Sequence, residues 1–254
     1  MSYFKFEDKN IYYEETGCGK PLLLLHGNTA SSNMFGAVAG GYAQDHRVIL
    51  MDFLGHGQSD RLDKFPADLW FYEAEQVIAF LKEKQYGKVD IIGTSGGALI
   101  AINVALEAPE LVGKIIADSF EGEVPLKAFT NSVVEDREAS KNDPDARMFY
   151  YYMHGDDWET IVDLDTQAIV EHDKTIGKFF HKPLSSLSVP ILMTGSKTDE
   201  FICMINPDYF ETTYGDMIRK IGHGQMHLFE TGRHPAMLSN EVEFMAVCKA
   251  FLEI

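Results

Sequence analysis

A serine hydroxyl is a weak nucleophile at neutral pH, and this chain places one where it can be activated. Gly93-Thr94-Ser95-Gly96-Gly97 follows the apolar run Val89-Asp90-Ile91-Ile92 and opens a small-residue stretch, 98–106. That order reads as strand, sharp turn, helix, the only context in which G-x-S-x-G signals a nucleophile. Such a turn holds the serine backbone in a strained conformation and lifts its hydroxyl above the sheet. The glycines two before and two after it leave room where strand and helix nearly touch. The Gly96 N–H, at the helix start, points where an oxyanion would form. Glycine-rich turns of this kind also cradle dinucleotides, and Asp118 stands at a suitable distance for that fingerprint. The fingerprint is G-x-G-x-x-G, however, and the glycines here fall at 93, 96 and 97.

A serine nucleophile requires an imidazole base and a carboxylate that fixes the tautomer of that base. In open α/β sheets such groups gather beyond the carboxyl ends of the strands. Those ends carry His26-Gly27-Asn28-Thr29, then Asp52 through Ser59, then Ser95, Asp118-Ser119, Gly195 through Glu200, and Thr231-Gly232-Arg233-His234-Pro235. Of nine histidines, His46 and His223 precede strands, His227 is expected in the core, and His154, His172 and His181 lie in a separate helical region. His26 and His56 sit in glycine-flanked loops that they are expected to hold. His234 remains as the base, just past the final strand. With the order Ser, acid, His, Asp199 is the favoured acid and Asp118 its rival. Glu200 is adjacent to Asp199 but would point elsewhere. The second oxyanion donor is expected from the Asn28 N–H, because Gly27 lets the backbone turn closely.

The elements that must position these groups are legible as short apolar runs. Residues 3–6 and 11–15 read as an antiparallel hairpin. Runs at 22–25, 48–51, 89–92, 114–117, 190–193 and 225–230 read as strands, the first of them buried on both faces. The spacing of apolar residues at 70, 74, 77, 78 and 81 predicts a helix from about Pro66, with Gly87 beyond its end. An amphipathic helix is predicted over 241–252. Alternating strands and helices imply a mostly parallel sheet covered on both faces. A closed eight-fold barrel suits the length, but the hairpin and the long 120–187 interruption suit it less. That interruption, acidic and aromatic, reads as a lid. Its Phe149 to Tyr152 and Trp158 would either line an acyl pocket or fasten the lid to the body.

Composition narrows the partners. The 254 residues carry a net charge of -17, and 45% are hydrophobic, enough for a sizeable core. Residues 131–175 alone hold twelve acidic and four basic side chains. Such a surface repels phosphate backbones and anionic membranes, so neither nucleic acid nor membrane is an expected partner. Its plainer role is solubility. No apolar stretch is long enough to span a bilayer. The opening residues lack the apolar region of a secretory signal, and three scattered cysteines form neither a metal site nor a disulfide framework. A cytoplasmic location is therefore expected.

His26-Gly27-Asn28, Asp52-x-x-Gly55-His56-Gly57-x-Ser59, Gly93-x-Ser95-x-Gly97, Gly195-x-x-x-Asp199 and Gly232-x-His234-Pro235 together resemble the α/β-hydrolase fold family over nearly the whole chain. The resemblance implies an eight-stranded sheet flanked by helices, with a helical cap inserted after the sixth strand. The core would then comprise 1–119 and 188–254, and the cap 120–187. It implies a catalytic triad of Ser95, Asp199 and His234, an oxyanion hole of Asn28 and Gly96, and neither metal nor organic cofactor. Ser95 stands where haloalkane dehalogenases and epoxide hydrolases place an aspartate, which argues against both. The expected activity is cleavage of a small carboxylic ester. Thioesterase, lactonase, lipase, perhydrolase and carbon–carbon bond hydrolase chemistry use the same triad, and a non-turnover receptor uses the same scaffold.

Overall fold

Successive residues of a strand face opposite sides of a sheet, so a continuous apolar run must be covered on both faces. The computed structural model, which describes residues 2–203 and 206–253, shows this covering. In the order of the chain come β1 (Ser2–Phe6), β2 (Lys9–Thr16), β3 (Lys20–Leu25), α1 (Ala39–Tyr42), β4 (His46–Met51) and α2 (Leu69–Lys84). Then follow β5 (Val89–Thr94), α3 (Gly96–Glu107) and β6 (Val112–Asp118). Three helices intervene, α4 (Lys127–Ser140), α5 (Pro144–His154) and α6 (Trp158–Thr175). The chain ends with β7 (Ile191–Ser196), α7 (Tyr209–Ile221), β8 (Gln225–Phe229), α8 (Ala236–Ser239) and α9 (Glu241–Glu253).

The strands form one eight-stranded sheet in the order β1-β2-β4-β3-β5-β6-β7-β8. Only β2 pairs antiparallel, with β1 and with β4; from β4 to β8 every pairing is parallel. Leu23, Leu25, Ile91 and Ile115 bury one face together with α2 and α3. Leu22, Leu24, Ile92 and Ile116 bury the other against Phe244, Cys248 and Phe251 of α9. The central position of β5 is what places Ser95 at the middle of the molecule. The register sets Thr94 beside Asp118 and Asp118 beside Thr194. Three strand ends thus align in one row.

Several elements depart from the sequence-based expectations. Helix α2 begins at Leu69 rather than near Pro66, and it ends when Gln85 adopts a left-handed conformation (φ 53°), before Gly87 is reached. Helix α7 has no counterpart among those expectations, although Phe210, Tyr214, Met217 and Ile221 recur at helical spacing and are all buried. Strand β8 lies at the sheet edge, so His227 is not a core residue: its side chain is 37% exposed and stands 3.8 Å from Glu243. The cysteines are all free. Among the described residues no helix is long and apolar enough to cross a membrane.

Candidate active site

Ser95 occupies the single residue between β5 and α3, with φ 56° and ψ -125°. A non-glycine residue held there stores of order 1–3 kcal/mol of strain. The surroundings fix it: its N–H donates to the Asp118 carbonyl at 2.8 Å. A Cβ on Gly93 would lie 2.0 Å from the Gly97 carbonyl oxygen, and one on Gly97 would lie 2.2 Å from that of Leu25. A Cβ on Gly27 would lie 2.8 Å from that of Ser95. The glycines of both loops are therefore contacts, which let β3, β5 and α3 meet at the serine.

The structure brings Ser95, His234 and Asp199 together from three separate loops. His234 Nε2 is 2.9 Å from Ser95 Oγ, and His234 Nδ1 is 2.8 Å from Asp199 Oδ2. The carboxylate accepts only, so Nδ1 carries the proton and Nε2 is free to accept from the serine. Asp199 is buried, and its other oxygen takes the N–H groups of Phe201 and Ile202 at 2.9 and 3.0 Å. Burial by itself would push the His234 imidazole down. The hydrogen bond and charge of Asp199, with the charges of Asp118 and Glu200, outweigh it and leave the group above its ordinary value. Glu200 points away from the imidazole ring and accepts the His234 N–H at 2.9 Å.

Asp118 sits behind these three side chains rather than among them. Its oxygens accept from Thr94 Oγ1, Thr194 Oγ1, Ser119 Oγ and the Met237 N–H at 2.8–3.1 Å. It does more than cap a turn: it ties β5, β6 and β7 to the start of α8, just past His234. Burial pushes its carboxyl up to about 6, against the pull of these donors. The Gly96 N–H opens α3 and so lacks an intrahelical acceptor. The Asn28 side chain lies directly against Gly96, since a Cβ there would meet Asn28 Oδ1 at 2.3 Å.

A cavity of about 340 Å³ opens over Ser95 and His234. Its walls are mainly apolar, with Leu99, Phe120, Phe129, Val133, Phe201 and Leu238 among them. Phe149 and Tyr150 of the expected lid aromatics line it, whereas Tyr151 and Tyr152 face outward, and Trp158 stacks on Tyr150. Glu121 and Arg137 also line it, and burial pushes the Glu121 carboxyl up to about 7. Sequence patterns single out neither residue, because no motif marks a charge brought into a pocket by helix packing. His26 holds its loops, with Nδ1 to the Gly27 carbonyl and Nε2 accepting the Phe53 N–H. The His56 ring does not: it makes no hydrogen bond and packs between His26, Phe65 and His154, and only the His56 backbone bonds within the turn, to Phe53 and Ser59. Among the described residues no cluster of three or more metal-binding side chains occurs.

Residues 20–152 match the alpha/beta hydrolase fold family. Over 107 residues the chain is 30% identical to a pimeloyl-[acyl-carrier protein] methyl ester esterase of Nitrosomonas europaea, covering 42% of this chain and 40% of that protein. Over 108 residues it is 33% identical to a 2-hydroxymuconate semialdehyde hydrolase of a Pseudomonas species, covering 40% and 37%. The chain thus spans about two fifths of these curated relatives. In fold it is similar to an esterase from Exiguobacterium antarcticum, with a TM-score of 0.79 at 20% identity, over 100% of this chain and 99% of that one.

Proposed function

The chain belongs to the α/β hydrolase fold family, and from that premise we propose that it is a serine hydrolase acting on a small carboxylic ester. The observation that carries this reading is the continuous relay from Asp199 Oδ2 through His234 to Ser95 Oγ, with both links under 3 Å. Ser95 Oγ attacks the ester carbonyl while its proton passes to His234 Nε2. Asp199 stabilises the resulting imidazolium without taking its proton. The N–H groups of Gly96 and Asn28 hold the oxyanion of the tetrahedral intermediate. As that intermediate collapses, the carbon–oxygen bond breaks and His234 returns the proton to the leaving alcohol. Water, deprotonated by the same imidazole, then releases the acid from Ser95. The helices α4–α6 serve as the cap over this reaction, and the apolar wall takes the acyl group.

The experiment is an organophosphonate ester followed by peptide mass spectrometry, alongside a panel of model esters. The expected result is one adduct, on Ser95, and ester turnover that disappears in Ser95→Ala. An adduct elsewhere, or none, removes Ser95 from the role. The same triad serves carbon–carbon cleavage, and one relative carries the name of a semialdehyde hydrolase. Including vinylogous diketones in the panel separates the two, since an ester hydrolase turns over the esters in preference.

A further inference from the structure

Each of the three helices inserted between β6 and β7 plants a polar side chain on the loop that follows β3. From α4, Arg137 Nη1 donates to Thr29 Oγ1 at 2.5 Å. From α5, His154 Nε2–H donates to the Thr29 carbonyl at 3.0 Å, while its Nδ1 accepts the Gly57 N–H at 3.1 Å. From α6, Asp165 Oδ2 accepts the Asn28 Nδ2–H at 2.7 Å. The opposite end of the same carboxamide is held from the body of the protein: Asn28 Oδ1 accepts the Trp70 Nε1–H of α2 at 3.1 Å.

The chemistry of the two partners leaves the amide one orientation. An indole N–H only donates and an ionised carboxylate only accepts, so a flipped carboxamide loses both bonds. Asp165 is wholly buried, and its second oxygen has no hydrogen bond, only the Arg137 guanidinium 3.7 Å away. Burial pushes its carboxyl up, against the pull of Arg137 and of the Asn28 amide. A neutral acceptor would fasten the helix to the loop at lower desolvation cost. The charge at this position therefore points to a demand for a short, directional, charge-assisted bond to Asn28. That side chain in turn packs against Gly96, so where it sits sets the gap between the Asn28 and Gly96 N–H groups.

We propose that Asp165 and Trp70 are positioning residues for the oxyanion hole: they clamp the Asn28 carboxamide from the inserted helices and from the body, and so hold the Asn28 N–H opposite that of Gly96. The proposal rests on the serine-hydrolase reading above, in which Ser95 is the nucleophile and those two N–H groups are the oxyanion donors. The clamp makes the inserted helices part of the catalytic geometry, beyond their covering of the pocket.

The test compares Asp165→Asn and Trp70→Phe with the wild-type protein, using a small ester, a boronic acid of matching acyl shape, and the corresponding ether. The boronic acid adds to Ser95 and presents an oxygen to the hole; the ether fills the pocket but has no oxygen to place there. The expected result in each variant is a fall in kcat of about 10- to 100-fold with KM nearly unchanged. The boronic acid should weaken by a similar factor while the ether binds as before. Equal changes for boronic acid and ether, or an unchanged ratio in either variant, overturn the clamp. Should Asp165→Asn fail to fold, Trp70→Phe decides alone, because it keeps an aromatic ring and removes the indole donor, and the ether registers any effect of the smaller ring on the cavity. Failure of the underlying reading looks different: the wild-type protein would then resist the boronic acid, and Ser95→Ala would still hydrolyse the ester.

Discussion

The imidazole of His234 is useful as a base only when neutral and only in one tautomer, and both conditions depend on Asp199. Asparagine at 199 can present its amide N–H to Nδ1 and so stabilise the wrong tautomer. Asp199→Asn is expected to lower kcat by about 10⁴-fold in steady-state assays of a good ester. Asp118→Asn should cost far less activity and act on stability, since each carboxylate oxygen takes two of the four donors and the new NH2 leaves two of them facing an amide, at about 1–3 kcal/mol each. The opposite ranking of the two variants would transfer the acid role to Asp118. The pH dependence has a definite sign. In the wild-type protein the His234 pKa lies above the ordinary histidine value, held up by Asp199 against burial. Thus kcat/KM should rise with pH through a point above the usual histidine range. In Asp199→Asn the largest raising influence is gone and burial is opposed only by the charges of Asp118 and Glu200, so the residual activity should rise at lower pH than in the wild type. A flat wild-type profile from pH 5 to 9 would remove the histidine from the rate-limiting chemistry.

At the scale of elements, the nucleophile turn is a crowded junction of three backbones. Gly97→Ala would drive a Cβ to 2.2 Å from the Leu25 carbonyl oxygen, a backbone atom of β3 that cannot swing aside. Overpacking of this kind costs about 1–3 kcal/mol or more. For a chain of this size that lowers the melting temperature by roughly 2–4 °C per kcal/mol. Because β3 leads directly into the loop that bears Asn28, activity should fall together with the melting temperature. A Gly97→Ala variant with wild-type melting and wild-type kcat would show that the contact relaxes freely. Gly87, by contrast, has open space around its hypothetical Cβ. Helix α2 shows why a glycine stop signal is only a preference: Gln85 takes the left-handed turn first, two residues earlier.

Across the whole molecule, the cavity over Ser95 has about 340 Å³ beneath α4 and α5, near the lower end of the range for small-molecule sites. Acyl length should therefore have an optimum. Measured over a ladder of p-nitrophenyl esters, kcat/KM should peak at short or medium chains and fall for long ones. Triglyceride emulsions should be poor substrates. Strong activation at a lipid–water interface would instead make the inserted helices a gate that opens on a surface.

The sequence by itself determined the strand-turn-helix at Ser95, the strand runs and the helical break between β6 and β7. These signals are local: a strand shows as an apolar run, a sharp turn as clustered glycine, and a helix as a 3.6-residue period. That Ser95, Asp199 and His234 come together was legible because each follows a strand end, and the parallel sheet collects such ends on one edge. What the tertiary structure decided is which residues meet across long separations. Asp118 was a plausible acid on sequence; only the register that sets it beside Thr94 and Thr194 places it behind the Ser95–His234–Asp199 cluster. His56 stands in a motif-rich loop yet its ring makes no hydrogen bond, whereas the ring of His154, in a region without motifs, bonds to two loops of the body. Asp165 is one of twelve acidic side chains in its region and nothing in the one-dimensional pattern sets it apart. Its burial and its bond to Asn28, 137 positions away, arise from how α6 packs on the body. Helix packing angles and depths follow from the sum of many weak contacts, and no single spacing in a sequence encodes that sum.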